Sequence, residues 1–285
     1  MEIKKVCVLG AGTMGSGIAQ ICAQAGYEVT MRARRETSIT SGKESIRKAF
    51  NRSVEKGKMA KEDADAALNR VKTTTVLEEA AKGADLVIEA ILEIMEEKKK
   101  VYATLDEVCP KHAILASNTS SLSILDIAMA TKRPEKVMGM HFFNPVPMMR
   151  LIELVKTIVT SEETFNTVKA VSEKLGKTTI TAQDTPGFIV NRLLIPYILD
   201  GVRLLEAGVA TKEDIDQSMK LGCNHPMGPL ELADLIGLDI IKDIGDAMYA
   251  EFKDTGCISP VLLNKLVVAG RLGRKSGEGF YNYQK

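Results

Sequence analysis

Short apolar runs separated by polar stretches recur along the first 184 positions. They lie at 4–9, 27–32, 84–89, 113–117, 137–141, 151–155 and 178–180. Short runs of this kind are typical of strands that are buried on both faces of a sheet. Helical stretches separate several of them, near 93–109, 122–130 and 162–175. The alternation predicts an α/β fold with a doubly wound sheet.

The pattern changes after Pro186-Gly187-Phe188. From there to the end of the chain, apolar residues follow helical spacing over 189–207, 212–221, 228–236, 238–252 and 260–269. Amphipathic helices without intervening strands indicate a helical domain. We therefore expect an α/β domain at 1–184 and an all-α domain at 185–285.

A polar, lysine-rich segment at about 38–70 interrupts the strand pattern. Apolar residues recur in it at helical spacing, namely Ile39, Ile46, Phe50 and Val54. Gly57 then breaks the run, so the segment predicts two helices that form a hairpin. Such a helical-hairpin insertion is unusual for a doubly wound α/β domain.

Residues 1–33 have the layout of a Rossmann-type nucleotide-binding unit. The strand at 4–9 leads into Gly10-Ala11-Gly12-Thr13-Met14-Gly15, a helical stretch follows, and a second strand ends at 32 or 33. In this context the G-x-G-x-x-G pattern predicts that a pyrophosphate binds the backbone at the helix N-terminus. The alternative is a glycine-rich turn that binds nothing. The layout predicts that 1–184 is a dinucleotide-binding domain and favours an oxidoreductase with a nicotinamide cofactor.

The end of the second strand bears on the choice between NAD and NADP. An acidic residue usually stands there and binds the adenine ribose, but this chain has Arg32-Ala33-Arg34-Arg35. Guanidinium groups bind a 2′-phosphate that a carboxylate would repel, and Ser38 could donate another bond. We expect NADP(H) to be preferred over NAD(H), with Arg34 as the main contact. The alternative is a solvated basic turn that only weakens NAD binding.

Polar residues stand at three places where a buried sheet would not otherwise carry them. Ser117-Asn118-Thr119-Ser120-Ser121 follows one strand, His141 ends another, and Glu153 lies inside a third. Interconversion of an alcohol and a ketone moves one hydride and one proton, and a histidine can move the proton near neutral pH. A carboxylate such as Glu153 could orient that imidazole. Ser120 and Asn191 are candidate hydrogen-bond donors to the reacting oxygen.

Spacing alone leaves structural alternatives for these residues. His141 could be a core histidine with satisfied hydrogen bonds. Ser120 could be the N-cap of a helix that begins at Leu122, a position that favours serine. Both alternatives stay open at the level of sequence.

Composition narrows the classes of partner. The 38 basic and 37 acidic residues give a net charge of +1, which gives no reason to expect nucleic acid or an anionic membrane. No apolar stretch approaches the length of a membrane span, and the start of the chain is unlike a signal peptide. Five cysteines are dispersed without paired spacing, namely Cys7, Cys22, Cys109, Cys223 and Cys257. We expect a cytoplasmic protein with reduced thiols and no metal site.

These motifs together resemble the L-3-hydroxyacyl-CoA dehydrogenase family, most closely its short-chain 3-hydroxybutyryl-CoA members from butyrate-forming bacteria. The resemblance spans essentially the whole chain. It rests on the two-helix insertion and on GAGTMGSGIAQ at 10–20, SNTSSLSI at 117–124, HFFNPVPMMRLIELV at 141–155, DTPGFIVNRLLIPY at 184–197, LGCNHPMGPLELADLIGLD at 221–239 and GRKSGEGFYNY at 273–283.

The resemblance implies reversible reduction of acetoacetyl-CoA to (S)-3-hydroxybutyryl-CoA, in fatty acid or butanoate metabolism. It implies that His141 is the catalytic acid/base, that Glu153 orients it, and that Ser120 and Asn191 contact the substrate. The family positions that line the cofactor are Glu93, Lys98, Ser120, Asn144 and Lys275 here. The insertion would bind CoA, with Ser45, Arg52 and Lys56 near its phosphates, and the C-terminal helices would form a homodimer. The chain departs from the family pattern at Ala33, where a carboxylate is usual.

Two other functions remain as alternatives. One is a related dehydrogenase that acts on a free 3-hydroxy acid, since such enzymes share this build. The other is a crystallin-like nucleotide-binding relative that has lost the chemistry. Retention of both His141 and Glu153 argues against the second, because a binding module gains nothing from that pair.

Overall fold

The computed structural model describes residues 1–284 of the chain. The chain divides into two compact units, Met1–Asp184 and Thr185 to the C-terminus. Each unit has a hydrophobic core of its own. Within the described residues, no helix is both long and apolar enough to cross a membrane.

The first unit is built on an eight-stranded sheet in the order β3-β2-β1-β4-β5-β6-β7-β8. The strands are β1 Lys5–Leu9, β2 Glu28–Arg32, β3 Val71–Thr74, β4 Leu86–Glu89, β5 Ile114–Ser117, β6 Val137–Phe142, β7 Leu151–Lys156 and β8 Thr178–Gln183. The first six strands pair in parallel, which requires crossover connections. Strand β7 runs antiparallel to β6, and β8 is parallel to β7. The strand order reverses beside β1, so the carboxyl ends of β1 and β4 form the crevice where such sheets bind ligands.

Helices cover this sheet, and the predicted Rossmann-type fold is confirmed. The helices are α1 Thr13–Gln24, α2 Glu36–Glu55, α3 Lys61–Asn69, α4 Leu77–Ala81, α5 Met95–Val108, α6 Ile124–Ala128 and α7 Glu162–Lys174. Sequence patterning did not predict β3 or α4. Strand β3 has only one fully buried residue, Val71, because it lies at the edge of the sheet. A strand of that kind lacks the apolar run that marks the central strands.

Helices α2 and α3 form the predicted insertion. Ile39, Ile46 and Phe50 of α2 are buried, and they join the core that α1 and the sheet share. Gly42 is essential to this packing because a Cβ there would lie 2.7 Å from the carbonyl oxygen of Ala11. The insertion therefore packs directly against the glycine loop.

The second unit is helical, as predicted. Its helices are α8 Val190–Glu206, α9 Lys212–Gly222, α10 Pro229–Ile236, α11 Leu238–Phe252 and α12 Val261–Val268. Buried Asp234 accepts hydrogen bonds from the N–H groups of Phe280 and Tyr281. These two hydrogen bonds hold the C-terminal segment against α10. Burial raises the pKa of Asp234.

Candidate active site

The glycines in the loop between β1 and α1 are required for different physical reasons. A Cβ on Gly10 would lie 2.2 Å from the carbonyl oxygen of Ala90, and one on Gly15 would lie 2.1 Å from the carbonyl oxygen of Gly10. A Cβ on Gly12 would meet no protein atom within 4 Å. Packing within the protein therefore explains Gly10 and Gly15 but not Gly12. The open space at Gly12 fits the approach of a dinucleotide pyrophosphate.

The start of α1 is suited to an anion. Its N-cap is Gly12, which has no side chain to accept a hydrogen bond from the first turn, and that turn contains no acidic residue. The first hydrogen bond within the helix is donated by the Ser16 N–H to the Gly12 carbonyl, at 2.9 Å. The N–H groups of Thr13, Met14 and Gly15 precede that bond, and the helix dipole adds partial positive charge there. These groups could hold the two phosphates of a nicotinamide cofactor.

The arginines that follow β2 have different environments. The Ala33 side chain is nearly buried, whereas Arg34 is exposed. Arg32 Nε donates to the Thr75 carbonyl at 3.1 Å, and burial together with the charge of Arg34 lowers the pKa of Arg32. The Arg34 guanidinium instead binds the carboxylate of Glu97, and this hydrogen bond lowers the pKa of Glu97. Glu97 was not among the residues selected from the sequence.

His141 and Glu153 face each other on adjacent strands. They are direct partners in the antiparallel register of β6 and β7. His141 Nδ1 lies 2.6 Å from a Glu153 carboxylate oxygen, and both side chains are buried. An ionised carboxylate can only accept, so this contact assigns the Nδ1 proton and directs Nε2 away from Glu153. The Phe143 ring packs against the imidazole at 4.6 Å between centroids. The structure thus brings together the two residues that the sequence predicted as a pair.

The polar segment after β5 connects the end of β6 with the end of β4. The Asn118 side-chain oxygen accepts from the Phe142 N–H at 2.9 Å, which fixes the backbone beside His141. The Ser120 N–H donates to Glu93 at 3.0 Å. Within residues 1–184 the Ser120 hydroxyl makes no hydrogen bond, and Ser120 is partly exposed. That hydroxyl is available to a ligand.

The N-cap alternative for Ser120 is wrong, because helix α6 begins later. Ser123 caps α6 by accepting from the Asp126 N–H at 3.1 Å. Asp184 accepts from the N–H groups of Ile124 and Leu125 at the same helix end. Burial raises the pKa of Asp184, and those two backbone bonds oppose the rise. Ser120 therefore lies one turn before the helix, in the loop that ends at the crevice.

A buried ionic network lies between the glycine loop and Ser120. Lys98 and Glu89 are almost fully buried, and Lys98 Nζ donates to Glu89 at 2.6 Å. Glu89 also accepts from the Ser117 hydroxyl at 2.7 Å and from the Ile91 N–H at 2.8 Å. Lys98 Nζ lies 3.2 Å from Glu93 as well. The resemblance had indicated Glu93 and Lys98, and the structure pairs them directly and adds Glu89 as a second partner of Lys98.

Glu89 was missed by sequence reasoning, although a signal existed. It ends the apolar run of β4, directly at the switch in strand order. A carboxylate that ends a buried strand beside the glycine loop needs a partner, and Lys98 lies nine residues later. Burial, and then the charge of Glu89, raise the pKa of nearby Tyr102 well above its usual value.

Asn144 and Ser45 line one groove with the glycine loop. The groove has a volume of about 370 Å³, and its walls include Gly12, Thr13, Ser45 and Asn144. Gly17 allows the segment after β6 to lie against α1, since a Cβ there would be 2.9 Å from Val146. The buried Lys177 amine fixes the same segment by donating to the Val146 and Met149 carbonyls at 2.5 and 2.7 Å. Burial lowers the pKa of Lys177.

The other predicted residues lie outside this groove. Arg52 is exposed on α2 and Lys56 is exposed at its C-cap, seven and eleven residues after Ser45, so the three lie toward one side of the helix. Asn191 and Lys275 belong to the second unit. Asn191 is buried in the first turn of α8, and Lys275 Nζ lies 2.6 Å from an Asp239 carboxylate oxygen.

Comparison with known families matches both units. The family model described as 3-hydroxyacyl-CoA dehydrogenase, NAD binding domain, matches residues 5–185. The model described as 3-hydroxyacyl-CoA dehydrogenase, C-terminal domain, matches residues 187–283. The two matches adjoin where the chain divides structurally.

Individual relatives match over the full length. The 3-hydroxybutyryl-CoA dehydrogenase of Clostridioides difficile is 49% identical over 281 residues, which are 99% of this chain and 100% of that protein. The crystal structure of FadB2 from M. tuberculosis superposes with a TM-score of 0.97 at 46% identity and covers 100% of both chains. The crystal structure of (S)-3-hydroxybutyryl-CoA dehydrogenase PaaH1 from Ralstonia eutropha gives a TM-score of 0.95 at 43% identity, again over 100% of both chains.

Proposed function

The chain belongs to the 3-hydroxyacyl-CoA dehydrogenase family, and from that premise we propose that its substrates are acetoacetyl-CoA and (S)-3-hydroxybutyryl-CoA. It is an oxidoreductase that acts on a CH–OH group with a nicotinamide cofactor. The choice of a four-carbon acyl chain is supported by full-length relatives that are named 3-hydroxybutyryl-CoA dehydrogenase.

The His141–Glu153 pair carries the mechanistic part of the proposal. When bound, the nicotinamide supplies or accepts the hydride. His141 Nε2 gives the proton to the ketone oxygen during reduction and takes it from the alcohol during oxidation. Glu153 holds the ring in orientation and stabilises the imidazolium while the proton is on Nε2. Burial of both side chains keeps their geometry fixed and strengthens this electrostatic support.

Ser120 and the buried network around Glu89 have supporting roles in this mechanism. The Ser120 hydroxyl would donate to the reacting oxygen, and the hydrogen bond from the Ser120 N–H to Glu93 holds its loop in place. Glu89 and Glu93 both hold the buried Lys98 ammonium, which would neutralise the Glu93 carboxylate beside the cofactor. Asn144 would contact the cofactor from the groove that it shares with Gly12. Asn191 and Lys275 keep the roles that the family implies, as predictions.

The CoA portion binds the outer face of α2 in this proposal. Ser45 stands in the groove next to Gly12, and Arg52 and Lys56 continue along the same face of the helix. Seven and eleven residues of helix correspond to about 10 and 16 Å. Those separations suit two basic residues that bind phosphates at the far end of an extended thioester.

NADP(H) is the preferred cofactor in this proposal. The carboxylate that would repel a 2′-phosphate is replaced by the nearly buried Ala33, and Arg34 follows it at the carboxyl end of β2. One charge-assisted hydrogen bond stabilises a complex by about 1.5–3 kcal/mol. At about 1.4 kcal/mol per factor of ten, Arg34 provides roughly ten- to a hundredfold discrimination. Homodimer formation, cytoplasmic location and the physiological pathway remain predictions from the sequence.

The direct test is a kinetic comparison of substrates with purified protein. Oxidation of NADPH is followed with acetoacetyl-CoA, with free acetoacetate and with 3-ketoacyl-CoA thioesters of six to sixteen carbons. We expect kcat/KM to be highest for acetoacetyl-CoA and negligible for the free acid. Equal turnover of free acetoacetate would favour a free hydroxy acid dehydrogenase. Absence of turnover with every thioester would favour a binding protein without the chemistry.

A further inference from the structure

Helix α5 carries two adjacent charged residues in opposite environments. Lys98 is buried on Glu89, whereas Glu97 lies at the surface and binds the Arg34 guanidinium. Arg34 follows β2, and Glu97 is in the first turn of the helix that follows β4. Strands β2 and β4 flank β1 in the sheet. The Arg34–Glu97 pair therefore links the two sides of the carboxyl end of β1, where the glycine loop begins.

We propose that Glu97 is a specificity-determining residue that competes with the 2′-phosphate of NADP(H) for Arg34. The inference rests on the proposed role of Arg34 in cofactor choice. It adds that the preference for NADP(H) is held below the value that the arginine alone would give. Glu97 thus weakens 2′-phosphate binding, as a carboxylate at position 33 would do.

The competition follows from the charges involved. Glu97 is ionised near neutral pH, because the hydrogen bond from Arg34 lowers its pKa. A guanidinium binds carboxylate and phosphate through the same planar set of donors. A phosphate monoester carries about −1.5 to −2 charges near neutral pH, so it is the stronger partner for Arg34. The Glu97 carboxylate therefore occupies the guanidinium donors that the 2′-phosphate would use.

Exposure makes the exchange feasible. The Arg34 and Glu97 side chains are 61% and 33% exposed, so neither must leave the core for Arg34 to change partner. Exposed ion pairs are weak because solvent screens them. NADH has a hydroxyl in place of the 2′-phosphate, so the Arg34–Glu97 pair stays intact when NADH binds. Only NADPH affinity should depend on the Glu97 charge.

The test is calorimetric measurement of Kd for NADPH and NADH with Glu97→Gln. Glutamine preserves the side-chain length and the helix propensity but removes the charge. We expect the NADPH Kd to fall roughly two- to fivefold, the upper range for one exposed ion pair, and the NADH Kd to stay within about 1.5-fold. Glu96→Gln is the matched control, since Glu96 is in the same turn, is 76% exposed and has its salt bridge only with Lys99 among residues 1–284.

Combination with Arg34→Gln separates the inference from the proposed cofactor preference. The effect of Glu97→Gln should vanish in the Arg34→Gln background, as a double-mutant cycle would report. If wild-type protein binds NADH more tightly but Glu97→Gln still shifts the ratio, the proposed preference fails and the inference stands. If wild-type protein prefers NADPH and Glu97→Gln shifts the ratio less than twofold, the inference is overturned. If Arg34→Gln leaves the ratio unchanged, the inference is overturned together with the proposed role of Arg34.

Discussion

Two side-chain pairs in the first unit differ in burial and in how they are held in place. His141 and Glu153 are 7% and 0% exposed and face each other across paired strands, whereas Arg34 and Glu97 are 61% and 33% exposed. The register of β6 and β7 fixes the first pair. The second pair depends on flexible side chains from two separate segments. A buried pair is organised before the substrate arrives and affects turnover, and an exposed pair can exchange partners and affects binding.

The largest effect is expected from removing the acid/base at the buried pair. His141→Gln should lower kcat with acetoacetyl-CoA by roughly 10²–10⁴, the usual contribution of a positioned acid/base. The NADPH Kd should stay within about threefold, since the nucleotide loop is untouched. Steady-state kinetics and calorimetry on the same preparation measure both quantities. More than a tenth of wild-type turnover in this variant would remove His141 from the mechanism.

Glu153→Gln is the companion variant. The amide cannot stabilise an imidazolium as a carboxylate does, so kcat with acetoacetyl-CoA should fall in this variant too. The losses in the two single variants should not add in the double variant, because the residues act as one unit. Additive losses would mean that Glu153 affects catalysis by a separate route.

The next effect concerns the other buried pair. Glu89→Gln leaves the Lys98 ammonium buried with only Glu93 at 3.2 Å to neutralise it. Loss of one partner from a buried pair usually costs about 3–5 kcal/mol of folding free energy, and Glu93 should hold the loss near the lower end. Urea unfolding of the variant, with Glu96→Gln as control, measures the change. A loss below about 1 kcal/mol would show that Glu89 does not anchor this region.

A smaller effect is expected where cofactor choice is determined. Ala33→Asp with Arg34→Ile restores a ribose-binding carboxylate and removes the phosphate contact. The ratio of kcat/KM for NADPH over NADH should fall roughly ten- to a hundredfold or more and reverse, with kcat at saturating cofactor little changed. A ratio that does not move would mean that the arginines after β2 only face solvent.

The smallest effect is expected from salt. Screening weakens exposed charges much more than buried ones. An increase from 50 to 300 mM sodium chloride should raise the KM for NADPH a few fold, while kcat and the KM for NADH change little. Parallel increases in both KM values would indicate that salt acts on some other part of the protein.

The parts that sequence predicted well are those with local signals. The glycine loop, the central strands and the helices of the second unit each follow from a short pattern of residues. The His141–Glu153 pair also emerged, because a carboxylate inside an apolar strand requires a partner and few histidines are available. Composition and spacing could suggest that pair. Only the register of β6 and β7 places His141 opposite Glu153, with Nδ1 2.6 Å from the carboxylate oxygen.

The parts that sequence missed depend on contacts between distant segments. Arg34 and Glu97 are 63 positions apart in polar stretches, so neither carries a periodic signal that points to the other. Glu89 ends an apolar run and resembles a strand boundary, although it is fully buried. Ser120 and Ser123 are equally good cap residues by type, and only the backbone shows which one begins α6.

One factorial experiment tests whether catalysis and cofactor choice reside in separate regions of the first unit. It determines kcat and the NADPH-to-NADH ratio of kcat/KM for wild type, His141→Gln, Ala33→Asp/Arg34→Ile and the triple variant. If catalysis and cofactor choice reside in separate regions, the cofactor ratio reverses by the same factor with and without His141. The loss of turnover is then also the same with both cofactors, as independent sites require. A reversal that differs more than about fivefold between the two backgrounds would contradict the separation of the two regions.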